Sequence, residues 1–114
     1  MVKQWIPEKG DIVFLQFNPQ KGREQAGVRP AFVLTPGRYN ERVGLMIACP
    51  ITSVSKGYPF EVPLPSHLRT HGVILADHVR SIDWRERKPK FVEHTSENVV
   101  ERVFEKLTLL LKSE

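Results

Sequence analysis

The sequence predicts a mostly β domain, a small curved antiparallel barrel that is completed by one C-terminal α-helix. Three observations lead to this prediction. The chain has 114 residues, the size of one ordinary domain, so we expect a single domain over residues 1–114. Short apolar or alternating runs are separated by turns rich in Gly and Pro. Only the last stretch changes to a helical period.

Seven runs in the sequence have the pattern of β-strands. In the first run, Val13, Leu15 and Phe17 alternate with Ile12 and Phe14, which places the two sets on opposite faces of a strand. The third run is mostly apolar, which is typical of a central strand. In chain order, the runs cover residues 11–17, 29–35, 44–51, 60–64, 72–76, 78–82 and 90–93.

The C-terminal helix follows from apolar residues at positions 99, 100, 103, 104, 107, 110 and 111. Thr95 or Ser96 can cap its start, and Glu97 lies in the first turn near the positive end of the helix dipole. We expect the helix to pack on the barrel and assign it no chemistry. The helix and the apolar Ile82–Trp84 region offer more apolar surface than one barrel can cover, so we also expect a homodimer.

The charge is positive and unevenly distributed. The net charge is +4 overall, with −2 on residues 93–114 and therefore +6 on residues 1–92. A basic body favours nucleic acid or an acidic protein partner, although solubility alone would also explain it. The single cysteine excludes an internal disulfide and a Cys-rich zinc site. Because no apolar run is long enough to span a bilayer or form a signal core, we expect a soluble, cytoplasmic protein without a membrane partner.

The densest polar stretch covers residues 21–30, where two glycines permit unusual backbone geometry. Glu24 and Arg29 in this stretch could act together on a phosphodiester, because a guanidinium group matches phosphate oxygens in a two-pronged hydrogen bond. A solvated hairpin loop with a surface ion pair is the alternative. Thr52 ends an apolar strand, where its hydroxyl could hold an oxyanion, and Lys56 could contact phosphate. Hydrogen bonding within a turn would explain these residues equally well.

The histidines and the cysteine indicate no further site. His67 and His71 are four residues apart but lie between Pro65 and Gly72, without the ligands that a zinc site needs. The other histidines, His78 and His94, are isolated in the sequence. Cys49 lies inside an apolar strand and is expected in the core rather than as a nucleophile.

Three sequence blocks, in this order, resemble the motifs of the MazF/PemK toxin family. They are KGREQAGVRPAFVLTP at 21–36, KGYPFEV at 56–62 and GVILADHVRSIDWR at 72–85. The similarity runs from about Trp5 to the end of the helix. It implies an SH3-like barrel with a C-terminal helix, paired as a homodimer. It also implies a bacterial toxin that cuts single-stranded RNA without metal or cofactor, and a cognate antitoxin whose acidic, disordered tail blocks the RNA groove.

The resemblance also assigns individual residues. The family's active-site glutamate, arginine and threonine fall on Glu24, Arg29 and Thr52. Two positions depart from relatives: Gln16 stands where an acidic residue is common, and Leu75 stands where some relatives have an arginine two residues before an aspartate. The further candidates for RNA contact are Gln25, Asn40, Lys56 and Asp77.

The resulting interpretation is a metal-independent endoribonuclease in which the RNA's own 2′-hydroxyl attacks the scissile phosphate. Glu24 is the candidate base, Arg29 stabilises the phosphorane, and Thr52 orients the phosphate. Two alternatives stay open, because function depends on the site rather than the fold. One is a toxin of the same fold that poisons DNA gyrase, as CcdB does, and the other is an SH3-like nucleic-acid-binding module without catalysis.

Overall fold

The computed structural model describes residues 5–17 and 28–114 of the chain. None of the helices in these residues is long and apolar enough to cross a membrane. A single 3₁₀ turn covers Ala76–His78. The other elements of the described residues are β1 (Asp11–Gln16), β2 (Val28–Val33), α1 (Gly37–Val43), β3 (Leu45–Thr52), β4 (Glu61–Pro63), β5 (Val73–Leu75), β6 (Arg80–Asp83), α2 (Trp84–Arg87), β7 (Lys90–His94) and α3 (Glu97–Leu111).

The strands form an antiparallel sheet in the order β4-β5-β3-β2-β1-β7, with β6 as an additional partner of β3. Strand β3 is long enough to pair with two strands on the edge opposite β2. Its residues 45–48 pair with β6, while Ile51 and Thr52 pair with β5. Among the described residues, the ladder ends at β4 and β7, so the barrel is open rather than closed. The predicted mostly β architecture with a C-terminal helix is confirmed.

Alternation along the strands produces two buried clusters on opposite faces of the sheet. As predicted, one face of β1 contributes Val13 and Leu15 to one cluster, and Ile12 contributes to the other. The cluster of Ile12 lies under α3, because the helix buries its valines at 99, 100 and 103 there. Ser96 is the N-cap residue of α3, while the Thr95 hydroxyl donates a 2.7 Å hydrogen bond to the Gly10 carbonyl.

The prediction of a single helix is wrong, because the structure contains two further short helices. Helix α1 starts directly after Pro36 and ends at Val43, where it is followed by Gly44 with φ +82°. Helix α2 is one turn long, and the Asp83 carboxylate caps it by accepting a 3.1 Å hydrogen bond from the Glu86 amide. Pro36-Gly37 also fits a turn, and neither helix is long enough to show an apolar period.

The apolar Ile82–Trp84 region, which was one reason to expect a homodimer, is instead part of this chain's own core. Ile82 and Trp84 are 1% and 3% exposed, and both belong to the cluster of Val13. The Trp84 indole N–H donates a 2.9 Å hydrogen bond to the Asn40 carbonyl, which joins α2 to α1. These two side chains are therefore not available for a dimer interface.

Candidate active-site cleft

Two adjoining hollows form one cleft at the ends of β2 and β3. Their volumes are about 350 and 360 Å³, within the range of ligand sites. Arg29 and His78 line both hollows, so the two lie side by side. The first hollow is lined by Phe17, Arg29, Pro50, His78, Val79 and Arg80. The second is lined by Arg29, Thr52, Val54, Lys56, Tyr58, Glu61, Leu75 and His78.

The sheet brings together three side chains that the sequence predicted for the site. Arg29 is exposed on β2, and Thr52 is the last residue of β3, which pairs with β2. Lys56 lies in the loop after β3, which we call the β3–β4 loop (residues 53–60). The structure therefore places the predicted Arg29, Thr52 and Lys56 around one hollow, although they are up to 27 positions apart in the chain.

A close backbone contact holds Thr52 in place. Gly72 has φ +123°, and a Cβ at this position would lie 2.1 Å from the carbonyl oxygen of Thr52. Only glycine allows β5 to begin this close to the end of β3. The Thr52 hydroxyl oxygen accepts a 3.2 Å hydrogen bond from the Val54 amide, which fixes the start of the β3–β4 loop.

A carboxylate on β4 binds the middle of the same loop. Glu61 accepts hydrogen bonds from the Ser55 hydroxyl at 2.7 Å, the Lys56 amide at 2.9 Å and the Gly57 amide at 3.1 Å. The pKa of Glu61 is lowered, chiefly by the hydrogen bond from the Lys56 amide and then by that from Ser55. Its negative charge is thus directed at donors of the loop.

The charged side chains of the cleft are mainly cationic. Arg29 and Lys56 are exposed, and the guanidinium of Arg80 lies 5.5 Å from the centre of the Phe17 ring. His78 is exposed beside Asp77, with 3.9 Å between Nε2 and the nearer carboxylate oxygen. Cations and a hydroxyl around an open cleft suit a phosphate backbone, because arginine and lysine bind phosphate oxygens directly.

The structure contradicts the prediction that Asn40 contacts RNA. Its side chain is 0% exposed, and its amide nitrogen donates to the carbonyls of Pro7 and Thr35 at 2.8 and 3.0 Å. Its amide oxygen accepts a 2.6 Å hydrogen bond from the Thr35 hydroxyl. A side chain enclosed and bonded in this way cannot contact RNA, so the predicted RNA contact is wrong and the residue joins α1 to the N-terminal segment.

Other residues singled out in the sequence are either outside the described residues, at the margin of the cleft or in the core. Glu24 and Gln25 lie outside the described residues. Asp77 is exposed next to His78, at the margin of the cleft. Cys49 is buried, and burial followed by the charge of Asp77 raises the pKa of its thiol to about 12, which agrees with a core residue.

Sequence reasoning missed four polar or charged residues that line the cleft. They are Tyr58, Glu61, His78 and Arg80. All four lie in the second and third sequence blocks, so the blocks could have indicated them, although none stood out by residue type.

Within residues 5–17 and 28–114, no three His, Cys, Asp or Glu side chains are grouped so as to hold a metal ion. A larger hollow on the outer face of α3 is formed by that helix and the two residues after its end, and it contains none of the predicted residues.

Comparison with known proteins identifies the family to which this fold belongs. A family model described as "PemK-like, MazF-like toxin of type II toxin-antitoxin system" matches residues 8–111. The chain therefore belongs to this toxin family.

Two relatives and two structures illustrate the similarity. Endoribonuclease toxin MazF of Escherichia coli K12 is 52% identical over 87 residues, covering 76% of this chain and 78% of that protein. Endoribonuclease toxin ChpB of the same strain is 35% identical over 117 residues, covering 98% and 100%. The crystal structure of MazF from Deinococcus radiodurans matches with a TM-score of 0.87 at 51% identity, covering 96% and 100%. A MazE-MazF crystal structure from that organism matches with a TM-score of 0.87 at 49% identity, with the same coverage.

Proposed function

We propose that this toxin is a sequence-specific, metal-independent endoribonuclease that cleaves single-stranded RNA and thereby inhibits translation and growth. The observation that carries the proposal is the meeting of Arg29, Thr52 and Lys56 in one cationic cleft. Relatives named as endoribonucleases support the reaction class. Single-stranded RNA is the expected substrate, because its unstacked bases expose edges that a protein can read.

The proposed reaction uses the nucleophile that RNA itself carries. The 2′-oxygen forms a bond to the neighbouring phosphorus while the bond to the 5′-oxygen breaks. Glu24 takes the proton of the 2′-hydroxyl, and the leaving 5′-oxygen gains a proton. Arg29 stabilises the charge that develops on the phosphorane oxygens, and Thr52 orients the phosphate. The products are a 2′,3′-cyclic phosphate and a free 5′-hydroxyl.

Apart from Asn40, the remaining predicted residues contact the RNA on either side of the scissile phosphate. Lys56 lines the cleft beside Thr52, and its ammonium group suits a phosphate of the bound strand. Asp77 is exposed and can accept hydrogen bonds from base amino groups. We assign Gln25 the same kind of base contact.

Product analysis tests this function. A single-stranded RNA is incubated with the protein in excess EDTA, and both fragments are identified by mass spectrometry. We expect a 2′,3′-cyclic phosphate, or the 3′-phosphate it opens to, and a 5′-hydroxyl. A substrate with a 2′-deoxy sugar just 5′ of the scissile phosphate should bind without being cut. A 5′-phosphate, or cleavage of the deoxy substrate, would refute the mechanism.

The same experiment, together with a gyrase supercoiling assay, distinguishes the alternative functions. Binding of RNA without cleavage would indicate a nucleic-acid-binding module. An absence of both, together with inhibition of DNA supercoiling by gyrase, would indicate a gyrase poison. The cationic cleft favours a nucleic acid over a protein surface as the main target.

We propose two protein partners. One is a MazE-like antitoxin with an acidic, disordered tail, which would be attracted by the basic residues 1–92; MazE-MazF complexes of the Deinococcus radiodurans relative support this. The other is a second copy of this chain in the cytoplasm. Exposed aromatic side chains on β1 and β7 support a homodimer, since Phe14 and Phe91 are 46% and 51% exposed and Trp5 stacks edge-to-face on Phe91. Light scattering should show a dimer at micromolar concentration.

A further inference from the structure

The β3–β4 loop is held by hydrogen bonds rather than by burial. Every residue from 53 to 59 is exposed, and the segment contains no regular secondary structure. Apart from the bond between Val54 and Thr52, the side-chain hydrogen bonds described for the loop converge on the carboxylate of Glu61. One side chain thus fixes the middle of an exposed segment.

Glu61 is anchored in the sheet. It is the first residue of β4, pairs with Leu75 on β5, and is only 9% exposed. The next residue, Val62, is buried in the cluster under α3. The carboxylate is therefore a fixed point to which the exposed loop is attached.

The attached loop supplies one wall of the cleft. Val54, Lys56 and Tyr58 line the hollow that also contains Arg29 and Thr52. The amide of Lys56 is itself one of the three donors to Glu61. The position of the Lys56 side chain over the cleft consequently depends on the carboxylate beneath the loop.

We propose that Glu61 is a positioning residue, whose carboxylate holds the β3–β4 loop where Lys56 and Tyr58 meet the RNA strand. This inference rests on the proposed endoribonuclease function. A carboxylate without hydrogen-bond partners would repel phosphate in an RNA cleft. The carboxylate of Glu61 instead accepts hydrogen bonds from one hydroxyl and two amides of the loop. Although Glu61 also lines the hollow, its carboxylate is bonded to the loop, and it therefore acts on RNA through the loop.

The chain contains a matched control for this role. Glu93 on β7 accepts hydrogen bonds from the Thr70 hydroxyl at 2.7 Å, the Thr70 amide at 2.8 Å and the Arg69 amide at 3.1 Å. It therefore holds a loop with the same three kinds of bond, but neither Arg69 nor Thr70 lines the cleft. Glutamine at either position keeps the size of the side chain and directs an NH₂ group toward an N–H donor.

The experiment compares Glu61→Gln and Glu93→Gln by steady-state cleavage of a single-stranded RNA oligonucleotide. We expect Glu61→Gln to raise KM about tenfold with little change in kcat. The hydrogen bonds that the loop donates to the charged carboxylate are weakened, while the reacting groups stay in place. Glu93→Gln should leave both constants near those of the unmodified protein. Equal constants for the two variants, or a fall in kcat at unchanged KM, would overturn the inference.

A double-mutant cycle tests whether Glu61 acts through Lys56. Lys56→Ala alone should raise KM, and adding it to Glu61→Gln should raise KM little further, because the lysine is already displaced. Independent, multiplying effects would contradict the proposed role. If Glu61→Gln does not fold, Ser55→Ala is measured instead. It removes one donor from an exposed position and should raise KM at least about twofold at constant kcat, and an unchanged KM would overturn the inference.

These outcomes are separable from a failure of the proposed function. If the unmodified protein does not cleave RNA, the endoribonuclease proposal fails. If it cleaves and the two glutamine variants behave alike, only the role of Glu61 fails.

Discussion

Replacing Gly72 with alanine tests how closely β5 approaches the end of β3 that carries Thr52. At φ +123°, an added Cβ would lie 2.1 Å from the Thr52 carbonyl oxygen, 2.8 Å from its carbonyl carbon and 2.9 Å from Cα of Ser53. All three atoms belong to the backbone, so no side chain can rotate away. The substitution must either move β5 or displace the end of β3.

The magnitude follows from two contributions. A side chain at this φ costs about 1–3 kcal/mol of backbone strain. Forcing a methyl group into an occupied volume costs roughly another 1–3 kcal/mol after relaxation. Gly57 offers a control for the first contribution, since it has φ +76° but nothing within 4 Å of an added Cβ. Gly57→Ala should therefore lose only about 1–2 kcal/mol.

Urea unfolding of both variants measures the difference. We expect Gly72→Ala to lose roughly 3–4 kcal/mol, which for a domain of this size lowers Tm by more than about 10 °C. Where the end of β3 is displaced, Thr52 moves with it, so cleavage by the folded fraction should fall as well. If Gly72→Ala were no less stable than Gly57→Ala, the close approach would not constrain this protein and the reasoning would be refuted.

The remaining predictions concern the site and the core. Arg29→Ala should lower the cleavage rate about a hundredfold or more, since transition-state charge stabilisation is lost, while circular dichroism stays unchanged; a near-normal rate would place the active site elsewhere. Thr52→Ala should reduce the rate less. Asn40→Ala should destabilise the protein by about 2–4 kcal/mol, because it leaves buried partners without hydrogen bonds. Cleavage by folded Asn40→Ala should be nearly normal, and a specific loss of RNA affinity would restore the predicted contact.

The fold was predictable from the sequence wherever the pattern is local. The alternation in β1 and the apolar period of α3 directly reflect which side of each element is buried. The short helices were not predictable in this way, because α1 depends on contacts distant in the chain. Asn40 in α1 is bonded to Pro7, 33 positions away, and to the indole of Trp84 through its carbonyl. A polar residue type alone did not show that it would be enclosed.

The site was predictable only in part for a similar reason. Arg29 could be assigned because the first sequence block includes it, and Thr52 because it ends an apolar strand where the family resemblance implies a threonine. Glu61 has the residue type of an ordinary surface carboxylate, and its importance appears only when the loop folds back over β4. His78 was set aside as isolated, yet the turn after β5 places it beside Arg29 in both hollows.

Strand β3 pairs with β2 on one edge and with β5 and β6 on the other, and this pairing limits where the sequence can change in this fold. It is paired on both edges, so a shift by one residue would turn its buried side chains to the wrong face. Insertions and deletions in β3 are therefore strongly disfavoured, whereas the exposed β3–β4 loop needs only to keep its attachment at Glu61. Divergence in sequence preference should accumulate in this loop, while the strand that presents Thr52 retains its length.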